Sequence, residues 1–136
     1  MTQDPTEQVF TGWVAQKALI QKEGKVLISL DATQSNWDLP GGRINVGEDP
    51  KEGLAREIKE ELGVDIEVGM PFHTDFVGSS RFLVVYHATL KNPDEEFVLA
   101  PDEIAQVRWI GPDEFAVLPF WDTYRRVLAV FFSKEK

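Results

Sequence analysis

Cysteine is missing from all 136 residues, and its absence excludes disulfide staples, thiolate metal sites and a cysteine nucleophile together. Long apolar runs are missing too. None approaches the ~20 residues needed to span a bilayer, so no membrane partner is expected. The opening stretch MTQDPTEQ has neither the basic nor the apolar region of a secretory leader. These absences fit a reducing, cytoplasmic compartment. Positive charge is in short supply: 14 Lys and Arg stand against 23 Asp and Glu, for a formal charge of −9. Long-range repulsion then opposes a polyphosphate ligand, which argues against nucleic acid as a partner. A small anionic ligand would need a local source of positive charge.

What is present suits one soluble domain with a proper core, monomeric or homodimeric. The chain is 43% apolar and 27% charged. Residues 9–20 (VFTGWVAQKALI) and 25–30 (KVLISL) are rich in β-formers and separated by a short polar turn, which predicts a hairpin or adjacent strands. Residues 31–36 (DATQSN) are turn chemistry, and Trp37 to Pro40 is a short extended piece ended by the Gly41-Gly42 pair. Asp49-Pro50-x-Glu52 predicts a helix start with capping-box spacing, and Gly63 a left-handed stop. Strands are expected over 64–68, 72–77, 81–90 and 107–110, with a break around Gly69 and Pro71 and a single helical turn after Gly111. His73 and His87 fall on these strands, where structural roles are expected. Asp122 is positioned to cap a last helix whose apolar face, Tyr124, Val127, Leu128, Phe131 and Phe132, would seal the sheet. No repeat or linker interrupts 1–136, which is read as a single mixed α/β domain.

The first helix carries the unusual feature. Rotating by ~100° per residue with Glu57 at zero puts Glu61 at about 40° and Glu60 at about −60°. Three carboxylates therefore share one side in an already acidic chain. Leu54, Ile58 and Leu62 form a separate apolar stripe. Gly53 falls among the carboxylates one turn earlier, where a missing side chain leaves the face open to a bound ion or phosphate. A solvated helix tolerates such crowding, since like charges at this spacing cost a few tenths of a kcal/mol per pair. Clustered carboxylates are also what a hard divalent cation such as Mg²⁺ takes as ligands, and such a cation would supply the missing positive charge. Gly42-x4-Gly47 has the spacing of a phosphate-binding P-loop, but Glu48-Asp49 stand where Lys-Ser/Thr is needed, which excludes one. No alternating Asp/Asn run supports an EF-hand.

Gly42, Glu48, Arg56-Glu57-Ile58, Glu60-Glu61 and Gly63-Val64 match at every specified position the box G-x5-E-x7-R-E-U-x-E-E-x-G-U, where U is aliphatic. Residues 42–64 thus resemble the signature of the Nudix hydrolase superfamily, and the order of strands around them resembles the family's as well. The resemblance implies an α/β/α sandwich around a mixed sheet and Mg²⁺- or Mn²⁺-dependent hydrolysis of a nucleoside diphosphate linked to another moiety. It implies that Glu57, Glu60 and Glu61 ligate metal, with the Gly41 carbonyl a candidate backbone ligand and Glu48 at the edge of the site. Arg56 would orient the acids of the box. Glu103, six residues before Trp109, is nominated by the same resemblance as a further ligand or general base. Which glutamate is the base stays open.

Outside the box, Ser80 stands where ADP-ribose enzymes of the family tend to carry proline, and Arg81 and Phe82 where dinucleoside polyphosphate enzymes tend to carry tyrosine. Elimination leaves a MutT-type nucleoside triphosphate pyrophosphohydrolase. A nucleotide-sugar or ADP-ribose-type enzyme, or a Nudix-fold module that binds a nucleotide without cleaving it, stays as an alternative. Trp37, Phe82 and Trp121 are candidate stacking surfaces for the base, and Asp122 a candidate partner for its edge.

Overall fold

The structure, a computed structural model, describes residues 8–134, so the opening stretch apart from Gln8 lies outside the described residues. The elements in order are β1 (Trp13–Lys22), β2 (Lys25–Asp31), β3 (Gly41–Arg43), α1 (Pro50–Leu62), β4 (Ile66–Val77), β5 (Arg81–Leu90), β6 (Ile104–Ile110), α2 (Pro112–Val117) and α3 (Asp122–Lys134). The strands form one mixed sheet in the order β4-β5-β1-β2-β6, with β3 added on β1.

β1 is the strand on which the sheet turns. It runs parallel to β5 from Trp13↔Arg81 to Ile20↔Ala88. Its other edge is shared: β3 pairs with Ala15 to Lys17, and β2 pairs with Gln21 and Lys22 through a tight hairpin. The hairpin turn uses Glu23 at φ 53 and Gly24 at φ 77, the left-handed pair that matches strand twist. A strand covered on both faces is expected to be apolar throughout. On one face Ala15 and Leu19 pack with Leu83 and Val85 under Tyr124, Val127, Leu128, Phe131 and Phe132 of α3. On the other, Ala18 and Ile20 pack with Tyr86 and Ala88 over Leu54, Ile58 and Leu62 of α1. The result is the expected helix–sheet–helix sandwich, with the apolar faces of α1 and α3 as read from the sequence.

Four local expectations are corrected. β1 begins at Trp13, since residues 8–12 are not paired as strand. β4 is one continuous strand across Gly69 and Pro71. It lies at the sheet edge, where register shifts absorb a proline that cannot donate to the ladder. β6 starts at Ile104, extending the expected strand by three residues along β2. Asp122 is not the cap of α3: the Trp121 carbonyl accepts the first helical bond from the Arg125 N–H, and Asp122 sits in the first turn, where a carboxylate suits the helix dipole. Among the described residues no helix is long and apolar enough to cross a membrane.

Candidate active site

α1 is held at both ends and along one side. The Asp49 side chain accepts from the Glu52 N–H at 3.0 Å, Pro50 opens the helix, and Gly63 closes it at φ 73. With Leu54, Ile58 and Leu62 buried, Glu57, Glu60 and Glu61 are presented from a rigid support. Arg56 gathers the neighbouring acids. Its Nε and Nη2 donate to Glu48 Oε2 at 2.9 and 2.8 Å, Nη1 to Glu60 Oε1 at 3.1 Å, and Nη2 to Glu57 Oε1 at 3.3 Å. Glu48 also accepts from the Asn45 N–H at 3.2 Å. The Arg56 hydrogen bonds, followed by that from Asn45, hold the Glu48 carboxyl below its usual range. Arg56 thus bonds to three acids of the box, Glu48, Glu57 and Glu60.

Two glycines make room for these carboxylates. A Cβ on Gly42 would stand 2.9 Å from the Glu57 carboxylate, and a Cβ on Gly53 would stand 2.6 Å from Glu48 Cδ. The reading of Gly53 as open space for an ion is therefore corrected. The space belongs to the Glu48 side chain, and Gly53 is buried beneath it.

Glu61 differs from its neighbours. Its Oε1 is buried with no hydrogen-bond partner. Burial, the largest cause, pushes its pKa up to about 7; nearby Glu57 and Glu103 push the same way, while Lys17 and the Gly41 N–H oppose them. Gly41 meets this cluster through its amide, which donates to Glu61. Glu103 arrives by a traceable route. The N–H of Ala100 bonds to the Glu61 carbonyl at 2.9 Å, a turn returns the Glu103 N–H to Ala100 O at 3.0 Å, and the Glu103 carbonyl holds the Ala32 N–H at 2.9 Å. Glu57 and Glu103 are thus both close enough to act on the charge of Glu61, and Glu60 stands on the more exposed side beside Arg56.

A divalent cation fits this chemistry. The donors are all hard oxygens, one of them buried and unpartnered among like charges, which is an arrangement a cation relieves. Among the described residues no three acidic or histidine side chains stand together as a ready-made cation site. Glu57 and Glu60 each give an oxygen to Arg56 instead.

Beside the acids lies a cleft of about 600 Å³ on the α3 face of the sheet. Trp13, Ala15 and Lys17 of β1 form its floor, Arg43 and Arg81 its basic flank, and Trp121, Asp122, Thr123 and Tyr124 its helical wall. Lys17 is bonded to Asp38 at 3.4 Å. Burial, then the Asp38 charge, raises the Tyr124 hydroxyl far above its ordinary pKa, so it stays protonated. Gly42 lines the cleft on one side and meets Glu57 on the other, so the Gly-Gly pair is a saddle joining cleft to carboxylates.

Asp122 and Trp121, which is 45% exposed, are brought to the cleft as base-binding candidates. Trp37 is not: it is 7% exposed and belongs to the α3-side core. Phe82 is not either, because it faces away from Leu83 and packs against Phe10 and Phe76. Sequence reasoning missed Trp13, Lys17, Asp38 and Arg43. Lys17 left a signal, a charge between the buried Ala15 and Leu19 on one strand face. The convergence of Trp13 with Arg43 and Arg81 depends on strand register and left none.

A family model described as the NUDIX domain matches residues 14–131. The CTP pyrophosphohydrolase of Escherichia coli (strain K12) is 28% identical over 109 residues, which cover 75% of this chain and 78% of that protein. An RNA pyrophosphohydrolase of Cereibacter sphaeroides is 30% identical over 142 aligned positions, covering 83% of this chain and 85% of that one. In fold, the MutT protein from Methanosarcina mazei Go1 superposes with a TM-score of 0.77 at 23% identity, over 96% of this chain and 99% of that one. The chain belongs to the Nudix family and is a Nudix-type pyrophosphohydrolase. Members of this family generally use divalent metals.

Two expectations follow from the carboxylates. A carboxyl whose folded pKa is raised from 4.5 to about 7 adds full stability below pH 4.5 and loses it as pH rises through 7. In chelator, Glu61→Gln should therefore gain on the order of 2–3 kcal/mol over wild type between pH 5 and 8. Urea denaturation across that range checks it, and parallel pH curves for the two proteins would contradict it. Gly53→Ala replaces a helical glycine at a propensity gain of about 1 kcal/mol, yet pushes on Glu48. Its melting temperature should change little while turnover falls about tenfold or more. A loss of stability with normal turnover per folded molecule would contradict the assignment.

Proposed function

We propose that the protein hydrolyses a pyrophosphate bond in a nucleoside triphosphate, or in another nucleoside diphosphate linked to a second moiety, with Mg²⁺ or Mn²⁺ held by Glu57, Glu60, Glu61 and main chain at Gly41. The observation that carries this reading is the buried, unpartnered Glu61 oxygen beside Glu57 and Glu103, one glycine away from a basic cleft. When bound, the cation supplies charge that neutralises phosphate oxygens and acidifies a water. Glu103, on a turn outside the box, would serve as general base toward the attacking water. Arg56 and Glu48 hold Glu57 and Glu60 in place. The Gly41-Gly42 saddle lets the phosphate chain pass from cleft to carboxylates without side-chain obstruction. The nucleoside end lies against Trp121, with Asp122 accepting from the base edge.

A triphosphate is favoured over a capped polymer. The name of the Escherichia coli relative supports a free nucleotide, and a chain of charge −9 repels a long polyanion whose phosphates extend beyond one local basic site. The whole chain, 1–136, is read as one catalytic unit acting on soluble nucleotides in the cytoplasm.

The test is release of pyrophosphate or phosphate from a panel of nucleoside triphosphates, nucleotide sugars and ADP-ribose, with Mg²⁺ and with chelator. Turnover of a triphosphate that vanishes in chelator is expected. Glu60→Gln, Glu61→Gln and Glu103→Gln should each lower kcat by about 10²-fold or more while circular dichroism stays unchanged. Near-normal turnover by both Glu60→Gln and Glu61→Gln would refute the ligand assignment. Tight binding of one nucleotide with no turnover of any would replace the enzyme reading with a sensor.

A further inference from the structure

In a chain with so many acids, an arginine without a carboxylate partner has been kept from one. Arg43 and Arg81 both line the cleft, and neither forms an ion pair among the described residues. Both rest on Trp13 instead. Arg43 Cζ lies 4.0 Å from the indole centroid and Arg81 Cζ 4.4 Å from it. Strand register produces this arrangement. Trp13 of β1 pairs with Arg81 of β5, and Ala15, two residues along, pairs with Arg43 of β3, so all four side chains rise from one face. Ala15 is small and leaves the ground between them low.

Stacking occupies the flat face of a guanidinium and leaves its in-plane N–H donors free. The two distances to a common ring place the guanidinium carbons within about 8 Å of each other. β3 and β5 flank β1 on opposite edges, so the indole stands between the two guanidiniums, and their outward donors can each make a charge-assisted bond of ~2.8 Å to a ligand lying across the ring's rim. A phosphate chain, with oxygens along its length, can accept from both arginines at once. The position suits a phosphate chain as well, since Gly42 beside Arg43 borders Glu57. Asp122, on the opposite wall of the cleft, would repel phosphate and suits the nucleoside end.

We propose that Arg43 and Arg81, held on Trp13, form a clamp that binds the phosphate chain of the nucleotide directly and without the cation. This deepens the reading given above and rests on it for the identity of the ligand as a nucleotide. Trp13 acts as a positioning residue: it orders two flexible side chains of like charge before the ligand arrives. Selection by the clamp is for phosphate count rather than for the base.

The test is calorimetric titration in chelator at low salt, with inorganic tripolyphosphate and with cytidine as probes. Wild type should bind tripolyphosphate, with affinity falling as salt rises. Arg43→Gln and Arg81→Gln should each weaken it about tenfold or more, and the double variant should abolish it, while cytidine binding is unchanged. Trp13→Leu keeps both charges and should still weaken tripolyphosphate severalfold. With Mg²⁺ and a turned-over triphosphate, each arginine variant should raise KM with kcat within about twofold, the mark of a contact equal in ground and transition states. Wild-type affinity for tripolyphosphate in folded Arg43→Gln and Arg81→Gln proteins would overturn the clamp, as would equal losses for cytidine. Clamp and enzyme reading fail separately. Arginine-dependent binding in chelator with no hydrolysis of any nucleotide sinks the enzyme and keeps the clamp; hydrolysis with unchanged KM in both variants does the reverse.

Discussion

A carboxylate oxygen shut away from water, without a donor and facing two other acids, is the feature on which this site depends. Glu61 is destabilised as an anion where it stands, by burial first and by Glu57 and Glu103 next. A fold tolerates such a group when the surrounding structure holds it there and a ligand repays the cost. The surrounding structure does hold it. α1 is capped at both ends, packed along Leu54, Ile58 and Leu62, and tied at its carboxyl end to the segment that delivers Glu103. Among the described residues Lys17 and the Gly41 amide offset part of that charge, and a bound cation would offset more.

Under the proposed function, the rest of the architecture would bring an anion to a cation held there. β1 gives half of one edge to β3 and half to β2, and the sheet opens beside the short β3. Glycine at 41 and 42 keeps this edge bare, so the acids on the α1 side and the basic cleft on the α3 side communicate across it. Charge is therefore segregated over a short distance within a protein of net −9. Carboxylates gather around Arg56 and Glu61, while Arg43 and Arg81 lie on Trp13 with no carboxylate partner among the described residues. A metal–polyphosphate complex carries the complementary pattern, and the geometry suits it at both ends.

Much of this was legible in the residues. The box spans one capped helix and its flanking loop, all local structure, so Asp49, Arg56, the three glutamates and Gly63 take up the places their spacing implied. Glu103 was reached through its offset from Trp109, which holds because the residues between them form one continuous strand, β6. Features set by register between distant strands were hidden. Trp13 meets Arg81 only because β1 and β5 run parallel in that alignment, and Phe82, one residue on, points to the other face for the same reason. Trp37 was a candidate stacking surface as an aromatic residue; it bridges to Phe120 and is buried in the core instead. Gly53 was placed correctly on the acidic side, but its partner, Glu48, comes from the loop before the helix and folds back over it.

The most direct measurement is anomalous scattering from crystals grown with Mn²⁺ and a non-hydrolysable triphosphate. A manganese peak within coordination distance of the Glu61 side chain, with phosphate oxygens beside it over Gly42, is the expected result. A peak bound elsewhere, or a fully occupied nucleotide with no metal at Glu61, would contradict it.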